Sequence, residues 1–435
     1  MSTIRPPRQE RSAGRPGRAV GPEGPVDPAR WPDVARVPRA PVRGRAARFL
    51  AERAFTRIPI RVRTPAGSLP AGGGPEAPLL DLHRPGDFYA RLGAAGLIGF
   101  GESHMAGDWS SPEPVRLLTV LAEHYADLVP RPLLPLRHAV LPRRSGRDDN
   151  TPEGARRNIR HHYDLSNDLF ALFLDETMTY SAALFGPGDG PAAEAGPAEL
   201  AAAQRRKIDR LLDRTGVGEG TRVLEIGTGW GELAVRAALR GAQVTSVTLS
   251  AEQRSRAAQR ALRAGVADRT DIRLCDYRQV TGSYDAVLSV EMVEAVGERY
   301  WPVFFTALDR LTAPGGRVGL QTITMEDAPM RASRGAYTWM HKYIFPGGLI
   351  PSVPAIEEQL RTRTALRVTD RRAFGTDYAQ TLRIWRASFE AAGAQVAELG
   401  FDPVFRTMWS FYLAYCEAGF RAGMIDVEQI TMERD

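Results

Sequence analysis

The feature that most constrains the fold is the run Val223-Leu224-Glu225-Ile226-Gly227-Thr228-Gly229-Trp230-Gly231. An aliphatic stretch gives way to three alternating glycines, and a helical pattern opens at Glu232. Strand, glycine turn and helix in that order bring backbone close to a ligand at the carboxyl edge of a parallel sheet. The chain beyond keeps the alternation. Strands are predicted at 222–226, 243–247, 271–274, 284–289 and 317–322, with helices at 232–240, 251–264 and 301–311. Short connections allow right-handed crossovers, so the expected class is α/β with a Rossmann-like doubly wound sheet. Pro314-Gly315-Gly316 reads as the turn into the fifth strand, and residues 325–361 are too long for a connection, which predicts a helical insertion or lid.

The glycine turn selects its ligand. A dinucleotide fingerprint needs Gly or Ala at position 232 and an acid about 20 residues past the first glycine. Glu232 instead stands where a pyrophosphate would lie, and residues 245–251 hold no carboxylate, which argues against NAD or FAD. Glu225 is unfavourable for phosphate but suits a cationic amino-acid moiety, as in S-adenosylmethionine, whose sulfonium and ammonium groups are both positive. With Glu225, the glycines Gly227, Gly229 and Gly231 and the intervening Trp230 form the expected cradle. Thr248, Leu249 and Ser250 close the second strand with hydroxyls placed for a ribose. After the third strand, Asp276 can accept from an adenine amino group and Tyr277 can stack on its ring.

What accepts the methyl group is narrower. Amine-directed enzymes usually carry an Asn/Asp-Pro-Pro-aromatic clamp after the fourth strand, whereas this chain reads Ser289-Val290-Glu291-Met292-Val293-Glu294-Ala295-Val296-Gly297. Phe170, Phe173, Tyr180, Trp339, Trp385 and Phe411 are among many aromatic residues around the predicted site. Together they suit a long apolar acceptor. A small-molecule O- or N-methyltransferase would need the absent clamp or a catalytic His. A non-catalytic lipid-binding protein on a degenerate scaffold would be expected to lose the glycine turn or Glu294, and both are present.

Composition places these parts. Residues 1–45 carry ten Arg against four acids, which equals the whole-chain excess of +6, so the remaining chain is formally neutral and nucleic acid is not an expected partner. Nine Pro and five Gly in that stretch predict a disordered basic tail. Residues 46–140 read as a small separate α+β domain, with Gly99 to Ser103 and Ala106 to Trp109 as turns around a buried Trp. Residues 141–158 read as a linker and 159–435 as the catalytic domain. The two cysteines, Cys275 and Cys416, preclude a disulfide framework, no apolar run approaches the ~18 residues of a spanning helix, and Met1 to Pro7 lack a secretory core. A cytoplasmic protein is expected. Adjacent His161 and His162 project differently and have no third partner at sensible spacing, so no metal site is expected.

Ile159-Arg160-His161-His162-Tyr163-Asp164-Leu165-Ser166-Asn167-Asp168, then Asp175 to Ser181, the glycine turn, and Val247-Thr248-Leu249-Ser250 with Gln253 make an ordered set. It resembles the cyclopropane fatty acyl phospholipid synthase and mycolic acid cyclopropane synthase family, from about residue 156 to Gln429. The resemblance implies a class I methyltransferase fold in which a cis double bond attacks the methyl of S-adenosylmethionine, and residues 46–140 resemble the lipid-engaging N-terminal domain of phospholipid-acting members. It implies that Tyr180, Ser181 and Gln253 join the cofactor residues, and that Glu294, Tyr378 and the Ile323 backbone hold a bicarbonate that removes the final proton. Cys416 matches a family active-site cysteine, although packing fits it better, because an alkene gains nothing from a thiolate. Ala182, Ala295 and Gln321 stand where family members commonly carry Cys, His and His. Gln321 can still donate to an oxyanion; Ala182 is expected to make no polar contact. Membrane phospholipid is the implied substrate, reached from the inner membrane face, and a homodimer is compatible. A cyclopropane ring is the first expected product; an exocyclic methylene on the route to 10-methyl branched acids is the alternative.

Overall fold

The computed structural model of the protein describes residues 20–21, 24–125, 166–186 and 195–435. The expected linker at 141–158 and the His161-His162 segment lie outside them. The N-terminal region comprises α1 (Pro41–Phe55), β1 (Arg61–Thr64), β2 (Gly67–Leu69), β3 (Leu79–Leu82), α2 (Pro85–Ala95), α3 (Leu97–Met105), β4 (Trp109–Ser110) and α4 (Pro114–Glu123). Its strands form a four-stranded sheet in the order β2-β1-β3-β4. The expected turn at Gly99 to Ser103 is instead inside α3. Its glycines serve close packing: a Cβ on Gly99 would lie 2.0 Å from the Arg91 carbonyl oxygen, and one on Gly101 would lie 2.4 Å from the Trp339 ring.

Residues 24–45, expected in the tail, are packed. Val34 is fully buried, the Trp31 indole donates to Asp402 at 2.8 Å, and Arg91 donates to the Asp33 and Val34 carbonyls. The N-terminal region is also not a separate unit. Phe88, Trp109 and Leu117 share one apolar core with Trp385, Phe405, Trp409 and Phe411 from the far end of the chain. Composition could not show this, because proline and arginine do not prevent a few apolar anchors from docking.

The catalytic region continues with α5 (Asn167–Ala171), α6 (Pro197–Arg214), β5 (Arg222–Ile226), α7 (Glu232–Leu239), β6 (Gln243–Thr248), α8 (Ala251–Arg263), β7 (Thr270–Leu274) and β8 (Tyr284–Val290). Next come α9 (Val293–Val296), α10 (Trp301–Leu311), β9 (Thr312–Met325), α11 (Asp327–Ser333), α12 (Trp339–Tyr343), α13 (Val353–Arg363), β10 (Leu366–Ala373), α14 (Gly375–Ala391), α15 (Pro403–Arg421) and β11 (Ile425–Arg434). Seven strands pair in the order β10-β11-β9-β8-β5-β6-β7. All neighbours from β7 to β9 are parallel, and β11 runs antiparallel between β9 and β10. Side-chain alternation along the strands builds a core on each face. Val223, Val244 and Leu288 pack on α6 and α7, whereas Leu224, Val287 and Leu320 pack on Phe304, Phe305 and Leu308 of α10. After β7 the chain crosses back to the other side of β5, so the order reverses between β5 and β8. A crevice outside the carboxyl ends of those two strands is where such a sheet binds ligands.

Candidate active site

The glycine turn follows β5 directly. Gly227, Gly229 and Gly231 have φ of 99°, 51° and 89°, a region that side chains other than glycine rarely adopt. A Cβ would lie 2.7 Å from Met292 Cγ at Gly227 and 2.7 Å from Ala257 Cβ at Gly231, but would meet nothing within 4 Å at Gly229. The outer glycines therefore allow packing, while the middle one borders open space. Trp230 is buried, donates to Asn167 Oδ1 at 2.7 Å and packs on Phe170, tying α5 to the turn. Glu225 is buried beneath, accepting from Ser246 Oγ at 2.5 Å. Desolvation pushes its carboxyl up to about 8, so it is an acid that a cation above the turn would help to ionise.

The next strand ends are partly committed to their own turns. Ser250 caps α8 by accepting from the Gln253 N–H, and Thr248 donates to Gln253 Oε1 at 2.9 Å, which fixes that side chain; Leu249 is half-buried. Asp276 is held by Arg278 through two hydrogen bonds of 2.8 and 2.6 Å. Tyr277 meets Phe304 edge-on at 5.5 Å. These residues line one edge of the crevice, as the strand order requires. The expected ribose hydroxyls and adenine acceptor are thus already oriented by protein partners.

The opposite wall begins where β8 ends, and it holds a residue that sequence reasoning missed. Glu291 accepts from the Ala182 N–H at 2.9 Å and Gln321 Nε2 at 2.9 Å through one oxygen, and from the Tyr378 hydroxyl at 2.8 Å through the other. Glu294 accepts from Thr322 Oγ1 at 2.9 Å and from the Ile323 N–H, while its Oε2 has no protein partner. Tyr378 and Ile323 therefore reach two different carboxyls. Ala182 does make a polar contact, through its backbone, which depends little on side-chain type. Ala295 is exposed and lies outside this cluster. The signal for Glu291 was an acid placed directly after the strand at the reversal of sheet order.

A buried cation stands behind the carboxyls. Lys207 is fully buried, donates to Ser181 Oγ at 2.6 Å, and burial lowers its ammonium to about 8. Gln204 bonds to the Ser181 carbonyl, and Gln429 links Gln321 to the Lys207 carbonyl. Lys207 was also legible, because the chain has only two lysines, Lys207 and Lys342, in an Arg-rich composition. Burial raises Glu291 above the ordinary carboxylate range, against the pull of Lys207 and its three donors. Burial and the neighbouring Glu291 raise Glu294 to about 8. The two carboxyls therefore titrate as a coupled pair.

Aromatic faces close the rest. Tyr180 bonds to the Tyr412 hydroxyl at 2.7 Å and packs against Trp385 and Phe170 with ring centroids 5.2 and 5.1 Å apart. Tyr378 meets Trp385 at right angles. Burial raises the half-buried Cys416 thiol to about 12, so it is not a thiolate at neutral pH. The insertion at 325–361 is helical and clamps this wall, its Leu349 N–H donating to the Glu294 carbonyl.

This strand order, with a glycine turn at its reversal and an open cradle at Gly229, defines a class I S-adenosylmethionine-dependent methyltransferase. Residues 150–430 match the mycolic acid cyclopropane synthetase family, and the chain belongs to it. It is 53% identical over 419 residues to the tuberculostearic acid methyltransferase UfaA1 of Mycobacterium tuberculosis, covering 95% of this chain and 97% of the relative. It is 33% identical to the cyclopropane-fatty-acyl-phospholipid synthase of Escherichia coli, over 80% of this chain and 86% of that one. The crystal structure of mycolic acid cyclopropane synthase CmaA1 complexed with SAH and CTAB superposes with a TM-score of 0.57 at 31% identity, covering 64% of this chain and 98% of that one.

Proposed function

We propose that the protein transfers the methyl group of S-adenosylmethionine to a double-bond carbon of an unsaturated phospholipid acyl chain, leaving an exocyclic methylene branch. The observation that carries this reading is the pairing of an aromatic wall with two half-buried carboxyls opposite the glycine cradle. An alkene attacks a sulfonium methyl without prior deprotonation, so the site needs no activated nucleophile. It must instead stabilise a cation and take one proton, tasks that π faces and a carboxylate perform. The ring product first expected from the motifs yields to the methylene product because the relative that matches 95% of the chain is a tuberculostearic acid methyltransferase. The co-substrate supplies the methyl group, and the proposal assigns the glycine turn around Gly229 and Gln253 to holding it.

Access to lipid is proposed from the N-terminal region. Among the described residues no helix is long and apolar enough to cross a membrane. Helix α1 exposes Val42 (77%) and Phe49 (65%) beside Arg43, Arg45, Arg48 and Arg53, a combination that suits the surface of an anionic bilayer on the cytoplasmic side. The test incubates purified full-length protein with methyl-labelled S-adenosylmethionine and dioleoylphosphatidylglycerol vesicles, followed by NMR of the acyl chains. Labelled olefinic methylene groups are expected. Labelled ring carbons would restore the cyclopropane reading, and unlabelled acyl chains would overturn the function.

A further inference from the structure

The bicarbonate that the resemblance implies does not fit the donors present. Its expected holders are engaged: the Tyr378 hydroxyl by Glu291, and the Ile323 N–H by Glu294. Gln321 and the Ala182 N–H also point at Glu291. A carboxylate presents the same pair of oxygens as bicarbonate, and here the side chain brings it. We propose that the Glu291 carboxylate is the catalytic base, taking the proton from the transferred methyl group, so that turnover needs no bicarbonate. The inference rests on the proposed alkene methylation.

Several independent observations converge on Glu291. Its three donors come from the segment before α6, from β9 and from α14, so the carboxylate is aimed by tertiary contacts. Its φ is 51°, and among the described residues only Met178 shares a positive φ without being glycine. Backbone strain of this kind persists where surrounding contacts over-determine it, and it clusters at functional sites. The residue is half-buried, and the neighbouring Met292 side chain rests on Gly227 of the cofactor turn. Glu294 is the poorer base. It has two donors, both on one oxygen, where Glu291 has three spread over both, and its Oε2 is buried without a protein partner.

The step balances without another reagent. The alkene π pair forms the bond to the methyl carbon while the sulfur–carbon pair returns to sulfur, leaving a cation on the adjacent chain carbon. A hydride moves from the methyl-bearing carbon to that cation. Glu291 then removes a methyl proton, and the released C–H pair becomes the exocyclic double bond. The proton resides on Glu291 until solvent takes it.

The test compares wild type with Glu291→Gln and Glu291→Gly in carbon-dioxide-stripped buffer, with and without added bicarbonate or formate. Wild type should turn over equally in both. Glu291→Gln, nearly isosteric, should keep its affinity for S-adenosylhomocysteine, lose about 100-fold or more in rate, and divert residual product to a methylated alcohol as water captures the cation. Glu291→Gly, which opens the three donors, should be partly rescued by bicarbonate or formate. The inference is overturned if Glu291→Gln matches the wild-type rate, if wild type stalls until bicarbonate is returned, or if neither anion rescues the glycine variant. Wild type that labels no acyl chain overturns the proposed function itself, a result distinct from all three.

Discussion

Glu225 shows how one buried carboxyl couples stability to ligand binding. It lies in the β5 interior beneath the turn, with Ser246 as its side-chain donor, and its pKa of about 8 stands well above that of the unfolded chain. The folded state therefore favours the neutral acid. That advantage is fully present below the unfolded pKa, near 4.5, and is lost as pH rises from there through about 8. Glu225→Gln carries no charge at any pH. Its stability relative to wild type should rise between pH 5 and pH 9 by about 4 kcal/mol, seen as a rising melting temperature in thermal denaturation of the ligand-free protein. Titration with S-adenosylhomocysteine tests the other half: the cofactor role expected of Glu225 from the sequence predicts weaker binding by the variant, and unchanged affinity would remove Glu225 from the cofactor site. A constant melting difference across this range would exclude a buried ionisation.

At the scale of elements, the glycine turn divides its labour. Gly231 abuts Ala257 of α8 with φ of 89°, so Gly231→Ala combines a steric clash with backbone strain. It should destabilise the protein by about 2–4 kcal/mol. Gly229→Ala meets open space and carries mainly the φ cost, about 1 kcal/mol, yet its methyl enters the cradle. That variant should melt near wild type but bind S-adenosylhomocysteine at least about tenfold more weakly. Denaturation and calorimetric titration of both variants measure the contrast; equal affinity losses at equal stability would show that the glycines are interchangeable. From sequence the three glycines look alike, because their difference lies in what α8 and Met292 place against each.

On the scale of the whole molecule, the N-terminal region is welded to the catalytic region through apolar and ionic contacts. His104 packs on Phe411 with centroids 4.9 Å apart, and Trp339 lies against Gly101 and Phe411. Lys342 bridges Asp33 at 2.7 Å and also pairs with the buried Glu102, to which Tyr343 donates at 2.8 Å. A chain beginning at residue 126 would bare these aromatic faces and leave Lys342 without either partner. It should be insoluble or aggregated on expression, as read by size-exclusion chromatography, although CmaA1 aligns with only 64% of this chain. A soluble, monodisperse fragment binding S-adenosylhomocysteine would refute the weld.

Periodicity alone determined the doubly wound class, the first four strand positions to within a residue or so, the bounds of α10 and the cofactor turn. Local residue order carries those signals, since strand and helix repeats and glycine φ freedom act over a few neighbours. The helix over Gly99 to Ser103, the docked stretch at 24–45 and the common core required partners distant in the chain. The candidate site divides in the same way. Glu294, Tyr378, Gln321 and Ile323 were named through the family resemblance that local motifs carry, but Glu291 emerged only once Ala182, Gln321 and Tyr378 were brought around it. Two glutamates three positions apart look equivalent in a sequence. Which one collects the donors depends on where β9, α14 and the segment before α6 converge, and only tertiary packing sets that.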